Sequence, residues 1–92
     1  MWRIEVTAEF EARFQYLPLP IQRKAEKQEI LFRSNPFHPS LHTEKIEPKG
    51  KQVWTLRIDK SYRIAFKFLE NNMVRFLTVG PHDWIYRVVT KI

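Results

Sequence analysis

The stretch from Val53 to Tyr86 decides the fold: VWTLRIDKSYRIAFKFLENNMVRFLTVGPHDWIY. It contains three runs in which apolar and polar residues alternate, and a period of two is typical of strands with one buried face. Two short polar segments, DKS and ENN, separate the runs and suit hairpin loops. We therefore predict three antiparallel strands in a meander, followed by a short C-terminal element.

The number of residues in each hairpin loop determines which side chains share a face, because a slip of one residue exchanges the two faces. A three-residue DKS loop pairs Arg57 with Arg63 and keeps both away from the apolar face, whereas a two-residue loop would place arginines among the aromatic residues. A three-residue ENN loop likewise pairs Lys67 with Arg75. In the third strand, simple alternation separates Val74, Phe76 and Thr78 from Met73, Arg75, Leu77 and Val79.

The predicted sheet thus has one aromatic face, which needs a cover, and one basic face with Arg57, Arg63, Lys67 and Arg75. Like charges directly opposite each other on a sheet cost stability. Either this face binds a polyanion, or the long side chains extend into water from an ordinary solvated surface. The residues alone leave both readings open.

Composition limits the class of protein. Residues 1–92 are enough for one small domain, and 43% hydrophobic content is ample for a packed core. A net charge of +6 favours an acidic partner: a nucleic acid, an acidic protein or a membrane surface. No apolar run could cross a bilayer and no signal-peptide core is present, so we expect no membrane association by insertion. The absence of cysteine fits a reducing cytoplasm.

The same composition argues against bound cofactors. Two glycines exclude a glycine-rich phosphate loop. The three histidines are well separated, which argues against a zinc site. We therefore predict no cofactor and no metal.

The N-terminal third reads as a strand and two helices. Trp2 to Val6 alternates as a strand does, Thr7 is a suitable N-cap, and Pro20 suits the first turn of a second helix over residues 20–33. Such a helical pair can cover the aromatic face of the sheet. The first helix would bury a stripe of Phe10, Phe14 and Leu17, and the second helix has Ile21, Ala25, Gln28 and Phe32 along one side.

Residues 34–52 read as a loop, because three prolines and a glycine interrupt any periodicity. We expect Leu41 and Ile46 to anchor it to the core. His38 and His42 are interpreted as hydrogen-bonding residues of the loop rather than catalysts. At the other end of the chain, residues 84–89 are ambiguous between a closing strand and one helical turn.

Three motifs carry a resemblance to a known family: NPFHPSL after the second helix, LRIDKSYRIAF across the first hairpin, and TVGPHDWIY near the end. In this order, and on these elements, the chain resembles the RelE/ParE superfamily of type II toxin–antitoxin toxins over most of its length. The resemblance implies an α+β fold of order β-α-α-β-β-β, with two N-terminal helices on one face of a mainly antiparallel sheet and a short C-terminal element. It also implies an acidic antitoxin as the partner.

Toxins of the RelE branch enter the ribosomal A site and cleave mRNA there without a metal. That chemistry needs a base for the ribose 2′-OH, positive charge at the phosphate and an acid for the departing 5′-oxygen. The resemblance places Arg63 at the scissile phosphate, with Arg57 as a second clamp. It makes His82 the proton donor or acceptor, Tyr86 a contact of the substrate nucleotide and Glu47 a candidate base. Contacts to the RNA backbone are expected from Lys45, Lys49, Lys51, Lys67 and Arg75.

Other interpretations of the same residues remain at this point. Arg63 could pair with Asp59 or Asp83, His82 could be a turn histidine bonded to Asp83, and Tyr86 could belong to the core. At the level of function, a ParE-like toxin would inhibit DNA gyrase by protein–protein contact, and an orphan relative would bind RNA without cleaving it. A histidine suited to acid–base work favours the nuclease.

Overall fold

The computed structural model describes residues 1–46 and 52–89, which form a five-stranded sheet and three α-helices. The elements are β1 Arg3–Val6, α1 Ala8–Gln15, α2 Leu19–Ser34, a 3₁₀ helix Pro39–Leu41, β2 Glu44–Ile46, β3 Val53–Arg57, β4 Tyr62–Phe68, β5 Met73–Pro81 and α3 His82–Val89. In space the strands are ordered β1-β5-β4-β3-β2. β1 is parallel to β5 and the other pairs are antiparallel. The predicted α+β class with a mainly antiparallel sheet is confirmed.

The N-terminal elements begin where their capping residues predict. Thr7 is the N-cap of α1, and its Oγ1 accepts a hydrogen bond from the backbone N–H of Phe10 at 3.0 Å. Helix α1 ends before Leu17, which nevertheless packs into the core with 9% of its surface exposed. Pro20 lies in the first turn of α2, where its missing N–H costs no intrahelical bond.

Helices α1 and α2 cover one face of the sheet, which we call the α1/α2 face. Phe32 of α2 is fully buried there, and its ring centroid lies 5.1 Å from that of Phe66 and 5.7 Å from that of Phe76. Phe10 of α1 packs against Phe76 at 5.3 Å. These edge-on and tilted contacts are the favourable geometries for aromatic pairs. The strand register that brings them together is the predicted one in both hairpins up to Phe76.

A β-bulge changes the rest of β5. Pairing with β4 is regular up to Phe76, but Ala65 then pairs with Thr78, so Leu77 is an extra residue. A bulge reverses the alternation of side chains beyond it. As a result, Val79 packs into the core of the α1/α2 face, where simple alternation had placed Thr78. The sequence prediction for this half of β5 was wrong.

The opposite face, which we call the site face, is partly covered by α3. Ile85 and Val89 of this helix are fully buried against Ile46, Val53 and Ala65, and these residues form a second apolar core. The sequence had left the C-terminal element as a strand or one helical turn, and the structure gives an eight-residue helix. The sequence analysis predicted a basic face here, and it did not predict the apolar part that α3 covers.

The segment after α2 is more ordered than the sequence predicted. It contains the 3₁₀ helix and the three-residue strand β2, which pairs with β3 at the sheet edge. Leu41 and Ile46 are buried and anchor the segment, as expected. Glu47, Lys49 and Lys51, which the resemblance placed in the site, lie outside the described residues.

Candidate active site

Arg63 is the centre of the polar part of the site face. It lies directly opposite Arg57 in the β3–β4 register, so the two side chains leave the same face of the sheet. Only 6% of its surface is exposed. Its Nε donates to Oγ1 of Thr55 at 2.9 Å, and its Nη2 donates to the backbone carbonyl of His42 at 2.7 Å. These bonds, rather than an aspartate, hold the guanidinium.

The pKa of Arg63 is lowered from its usual value, chiefly because burial disfavours the charged form. The nearby carboxylate of Glu44 acts in the opposite direction, and the neighbouring guanidinium of Arg57 adds to the lowering. An arginine remains charged at neutral pH under such a shift. The site therefore holds a cation that is only partly compensated.

The backbone that holds Arg63 comes from the turn after the 3₁₀ helix. His42 adopts the left-handed conformation with φ 46° and ψ 46°, and its carbonyl accepts from Arg63. Its ring nitrogen Nε2 lies 3.3 Å from Nη1 of Arg57. Gln28 of α2 fixes this corner, since its Nε2 donates to the carbonyls of Arg57 at 2.8 Å and of Ser40 at 3.0 Å.

His38 has the loop-stabilising role that the sequence suggested. Its Nδ1 accepts from the backbone N–H of Ser40 at 3.2 Å and caps the 3₁₀ helix. His42, by contrast, contacts a candidate site arginine through its side chain. The sequence interpretation of His42 as a loop residue is therefore incomplete.

Glu44 and α3 extend the cluster. The hydroxyl of Tyr86 donates to a carboxylate oxygen of Glu44, the same residue that interacts electrostatically with Arg63. His82 and Tyr86 lie one helical turn apart on α3, and their ring centroids are 4.6 Å from each other. The side chain of His82 is 47% exposed. Two contacts thus join the imidazole to Glu44, whose charge in turn acts on the buried guanidinium.

Two contacts position His82. Its backbone N–H donates to the carbonyl of Ser61 at 2.8 Å, which ties the start of α3 to the β3–β4 hairpin loop. Its Nδ1 lies 3.1 Å from Oδ1 of Asp83. This second contact is the one expected of a turn histidine, and a carboxylate on Nδ1 also orients an imidazole for proton transfer.

The structure brings together four of the residues that the sequence singled out, namely Arg57, Arg63, His82 and Tyr86. It adds Glu44 and His42, which the sequence analysis did not place in the site. Glu44 lies on the edge strand β2, opposite Thr55 of β3, and therefore shares the face of Arg63. A prediction that β2 pairs with β3 would have placed Glu44 in the site. A strand of three residues in a proline-rich segment shows too little periodicity to be predicted.

The predicted backbone-binding residues are dispersed. Lys45 pairs with Trp54, so it faces away from Arg63. Lys67 shares the face of Arg63, but four residues along a strand place it about 13 Å away. Arg75 lies opposite Lys67 and forms an ion pair with Glu5 of β1. The facing positive charges that suggested a polyanion are therefore relieved in part within the chain.

The described residues contain neither a metal-binding group nor a membrane-spanning helix. No group of three or more histidine, cysteine, aspartate or glutamate side chains is placed to hold a metal ion. No helix in residues 1–46 or 52–89 combines the length and apolar character that a membrane span requires.

The contacts and the topology define a small α+β protein with a mixed sheet and a polar cluster at one end of it. No family model matches the chain. An uncharacterised protein of Haemophilus influenzae is 39% identical over 46 residues, which are 50% of this chain and 45% of that protein. The match thus spans slightly under half of the relative's length.

Solved structures of toxins give the more extensive similarity. The RelE–RelB complex from Pyrococcus horikoshii matches with a TM-score of 0.72 at 17% identity, over 87% of this chain and 93% of that chain. A YoeB/ParE toxin from Agrobacterium tumefaciens matches at 0.73 and 13% identity, over 87% and 98%. YafQ from E. coli matches at 0.69 and 15% identity, over 94% and 99%. The chain therefore has a RelE-like fold.

Proposed function

We propose that this chain is a RelE-like toxin that cleaves mRNA in the ribosomal A site and is neutralised by a cognate antitoxin. The observation that carries the proposal is a polar cluster on the site face: a buried arginine, a carboxylate whose charge acts on it, and an imidazole linked to that carboxylate through Tyr86. Arg63 contributes the cation, Glu44 the carboxylate and His82 the imidazole. Clusters that combine burial with a specific charged neighbour are typical of functional sites.

The cluster contains the groups that metal-independent RNA cleavage requires. The carboxylate of Glu44 accepts the proton of the ribose 2′-OH, whose oxygen then attacks the adjacent phosphorus. Arg63, with Arg57 beside it, stabilises the charge that develops on the phosphate oxygens. Protonated His82 donates a proton to the 5′-oxygen as its bond to phosphorus breaks. The products are a 2′,3′-cyclic phosphate and a free 5′-OH.

Glu44 replaces Glu47 as the proposed base because its carboxylate lies within the cluster. The Tyr86 hydroxyl, bonded to Glu44, orients that carboxylate, while its ring offers a stacking surface for the substrate base. Arg63 is already held by two hydrogen bonds before substrate binds. Such a preorganised cation loses little freedom in the transition state.

The charge and the similar structures support the proposed partners. A net charge of +6 suits the ribosome with its mRNA, and it also suits an antitoxin with an acidic segment. Solved structures that share the fold include toxin–antitoxin complexes, among them the archaeal RelE–RelB complex and the E. coli DinJ–YafQ complex. With these partners, the proposed activity is cytoplasmic.

Primer extension on a reporter mRNA after induction of the chain tests the proposal. We expect new 5′ ends within translated codons, and their loss when Glu44→Gln is induced at the same level. Intact mRNA together with DNA-damage signalling would instead identify a gyrase inhibitor. Intact mRNA with retained RNA binding would identify a non-catalytic relative.

A further inference from the structure

A shallow groove lies beside the candidate site, where β4 begins and β5 ends. It is formed by the end of α1 and by the ends of the two strands, and the lining residues that matter here are Arg13, Tyr16, Leu17, Tyr62 and Pro81. Pro81 also belongs to the wall of a second hollow, which contains His82, Lys60 and Ser61. The groove therefore lies next to the hollow that contains His82.

Aromatic rings are displayed in this groove. Tyr16 is 89% exposed although its backbone is fixed at the C-cap of α1, where its N–H donates to the carbonyl of Arg13 at 3.1 Å. Tyr62, which precedes Arg63 in β4, contributes a second, partly buried ring. Exposed rings on a rigid backbone are the surfaces on which unpaired bases stack.

The charged wall of the groove is also fixed. The guanidinium of Arg13 lies 4.2 Å from the ring centroid of Trp84, and its ion pair with Glu9 is exposed and therefore weak. Trp84 in turn lies against Gly80, where an added Cβ would come within 2.6 Å of the indole. In the described part of the chain, the groove lining includes this arginine and no carboxylate. That charge suits an anion.

We propose that this groove binds a nucleotide that flanks the cleaved position, with its base stacked against Tyr16 and Tyr62 and its phosphate near Arg13. This inference rests on the proposed function, because the neighbouring hollow with His82 makes RNA the occupant. An apolar peptide would find mainly tyrosine, proline and arginine here, whereas a nucleotide uses the rings and the charge together. Stacking is sequence-tolerant, so the groove strengthens binding without selecting one base.

Fluorescence anisotropy with a labelled single-stranded RNA hexamer tests the inference. Uniform 2′-O-methylation of the hexamer removes the attacking hydroxyl, so that the probe binds without being cleaved. We expect Tyr16→Ala to weaken binding at least fivefold, as loss of one stacked base does. Tyr16→Phe, which retains the ring, should bind as the wild type does. Arg13→Gln should reduce the slope of log K against log salt concentration by about one, as expected for the loss of one phosphate contact.

Ile30→Ala is the matched control, because Ile30 is 70% exposed on α2 and lies outside the groove lining. Equal binding by wild type and Tyr16→Ala overturns the inference, as does the absence of hexamer binding by the wild-type chain. Cleavage on programmed ribosomes is measured separately. If the chain cleaves mRNA on ribosomes but Tyr16→Ala binds the hexamer as the wild type does, the groove is excluded as a binding site and the proposed function is retained. If hexamer binding depends on Tyr16 but no cleavage occurs on ribosomes, the groove is retained as an RNA-binding site and the proposed nuclease function is excluded.

Discussion

The two faces of the sheet differ in the free energy of burying their side chains. The α1/α2 face is filled with apolar side chains such as Phe32, Phe66 and Phe76, whose burial is favourable without any partner group. On the site face, α3 covers an apolar half, while the remainder buries Arg63 and Thr55. Burying a guanidinium costs free energy that its hydrogen bonds offset only in part. The comparison indicates that the first face stabilises the fold and the second maintains a charged site at the expense of stability.

The largest expected effect on stability comes from the α1/α2 face. Phe32→Ala removes a fully buried ring that contacts two other phenylalanines, and it should lower the free energy of unfolding by about 3–5 kcal/mol. Urea denaturation followed by circular dichroism measures the change. Phe37→Ala is the control, because that ring is 55% exposed, and its cost should be well below that of Phe32→Ala. Equal costs would contradict the assignment of the main core.

Replacement of Arg63 should separate stability from activity. Arg63→Met fills much of the same space without a charge, so we expect cleavage to fall about 10²- to 10³-fold, as when a group that stabilises transition-state charge is lost. The unfolding free energy should change far less than for Phe32→Ala, because the cost of burying a charge is removed together with two hydrogen bonds. Arg63→Ala is a poorer test, since it also leaves a cavity at a buried position.

The pH dependence of the Arg63→Met variant follows from the direction of the pKa shift. The pKa of Arg63 is lower in the folded state than in the unfolded state. For such a basic group, stability rises with pH only between the two pKa values. Near neutral pH the guanidinium is charged in both the folded and the unfolded state. The difference in unfolding free energy between wild type and Arg63→Met should therefore be the same at pH 6 and pH 8. A difference that varies across this range would show that another titrating group is coupled to Arg63.

Glu44→Gln tests the assignment of the base. It preserves the shape of the side chain and removes its ability to accept a proton, so single-turnover cleavage on programmed ribosomes should slow by about 10²-fold or more. Binding to the ribosome should change little. Tyr86→Phe retains the ring and removes the donor to Glu44, and a loss of about tenfold is expected. Wild-type cleavage by Glu44→Gln would exclude this residue as the base.

Two buried threonines on the site face provide the smallest and most specific contrast. Oγ1 of Thr78 is buried without a hydrogen-bond partner among the described residues, whereas Oγ1 of Thr55 accepts from Arg63. Thr78→Val should raise the unfolding free energy by about 1 kcal/mol, because it removes an unsatisfied polar group. Thr55→Val should lower it by about 1–3 kcal/mol. Denaturation curves in which both substitutions act in the same direction would contradict this contrast.

The fold of the α1/α2 face could be predicted from the sequence because alternation and loop length are local patterns. Alternation along β3 and β4 and the three-residue hairpin loops predict the pairing of Arg57 with Arg63 correctly. The bulge at Leu77 was not accessible, since no glycine or proline marks it and its position depends on packing against both layers. Strand β2 was missed because it is three residues long and buries a single side chain, Ile46.

The site could be predicted only in part, because some of its residues come together through contacts that are distant in the chain. Arg63, Arg57, His82 and Tyr86 were indicated by motifs, but the proximity of Glu44 depends on an edge strand that the sequence does not reveal. The burial of Arg63 depends likewise on elements distant in the chain, chiefly the turn that supplies the His42 carbonyl. Electrostatic character that arises from tertiary packing is not encoded in a local pattern of charges.

The extra residue in β5 can be removed without changing the faces of the residues beyond it. Deletion of Leu77 would let Thr78 follow Phe76 directly, and a regular register would keep Thr78 opposite Ala65 and Val79 opposite Ile64. Gly80 would stay opposite Arg63, so the indole of Trp84 would keep the glycine surface on which it lies. Deletion of Leu77 is therefore expected to be tolerated, and alignments with distant homologues should allow a one-residue gap before Thr78.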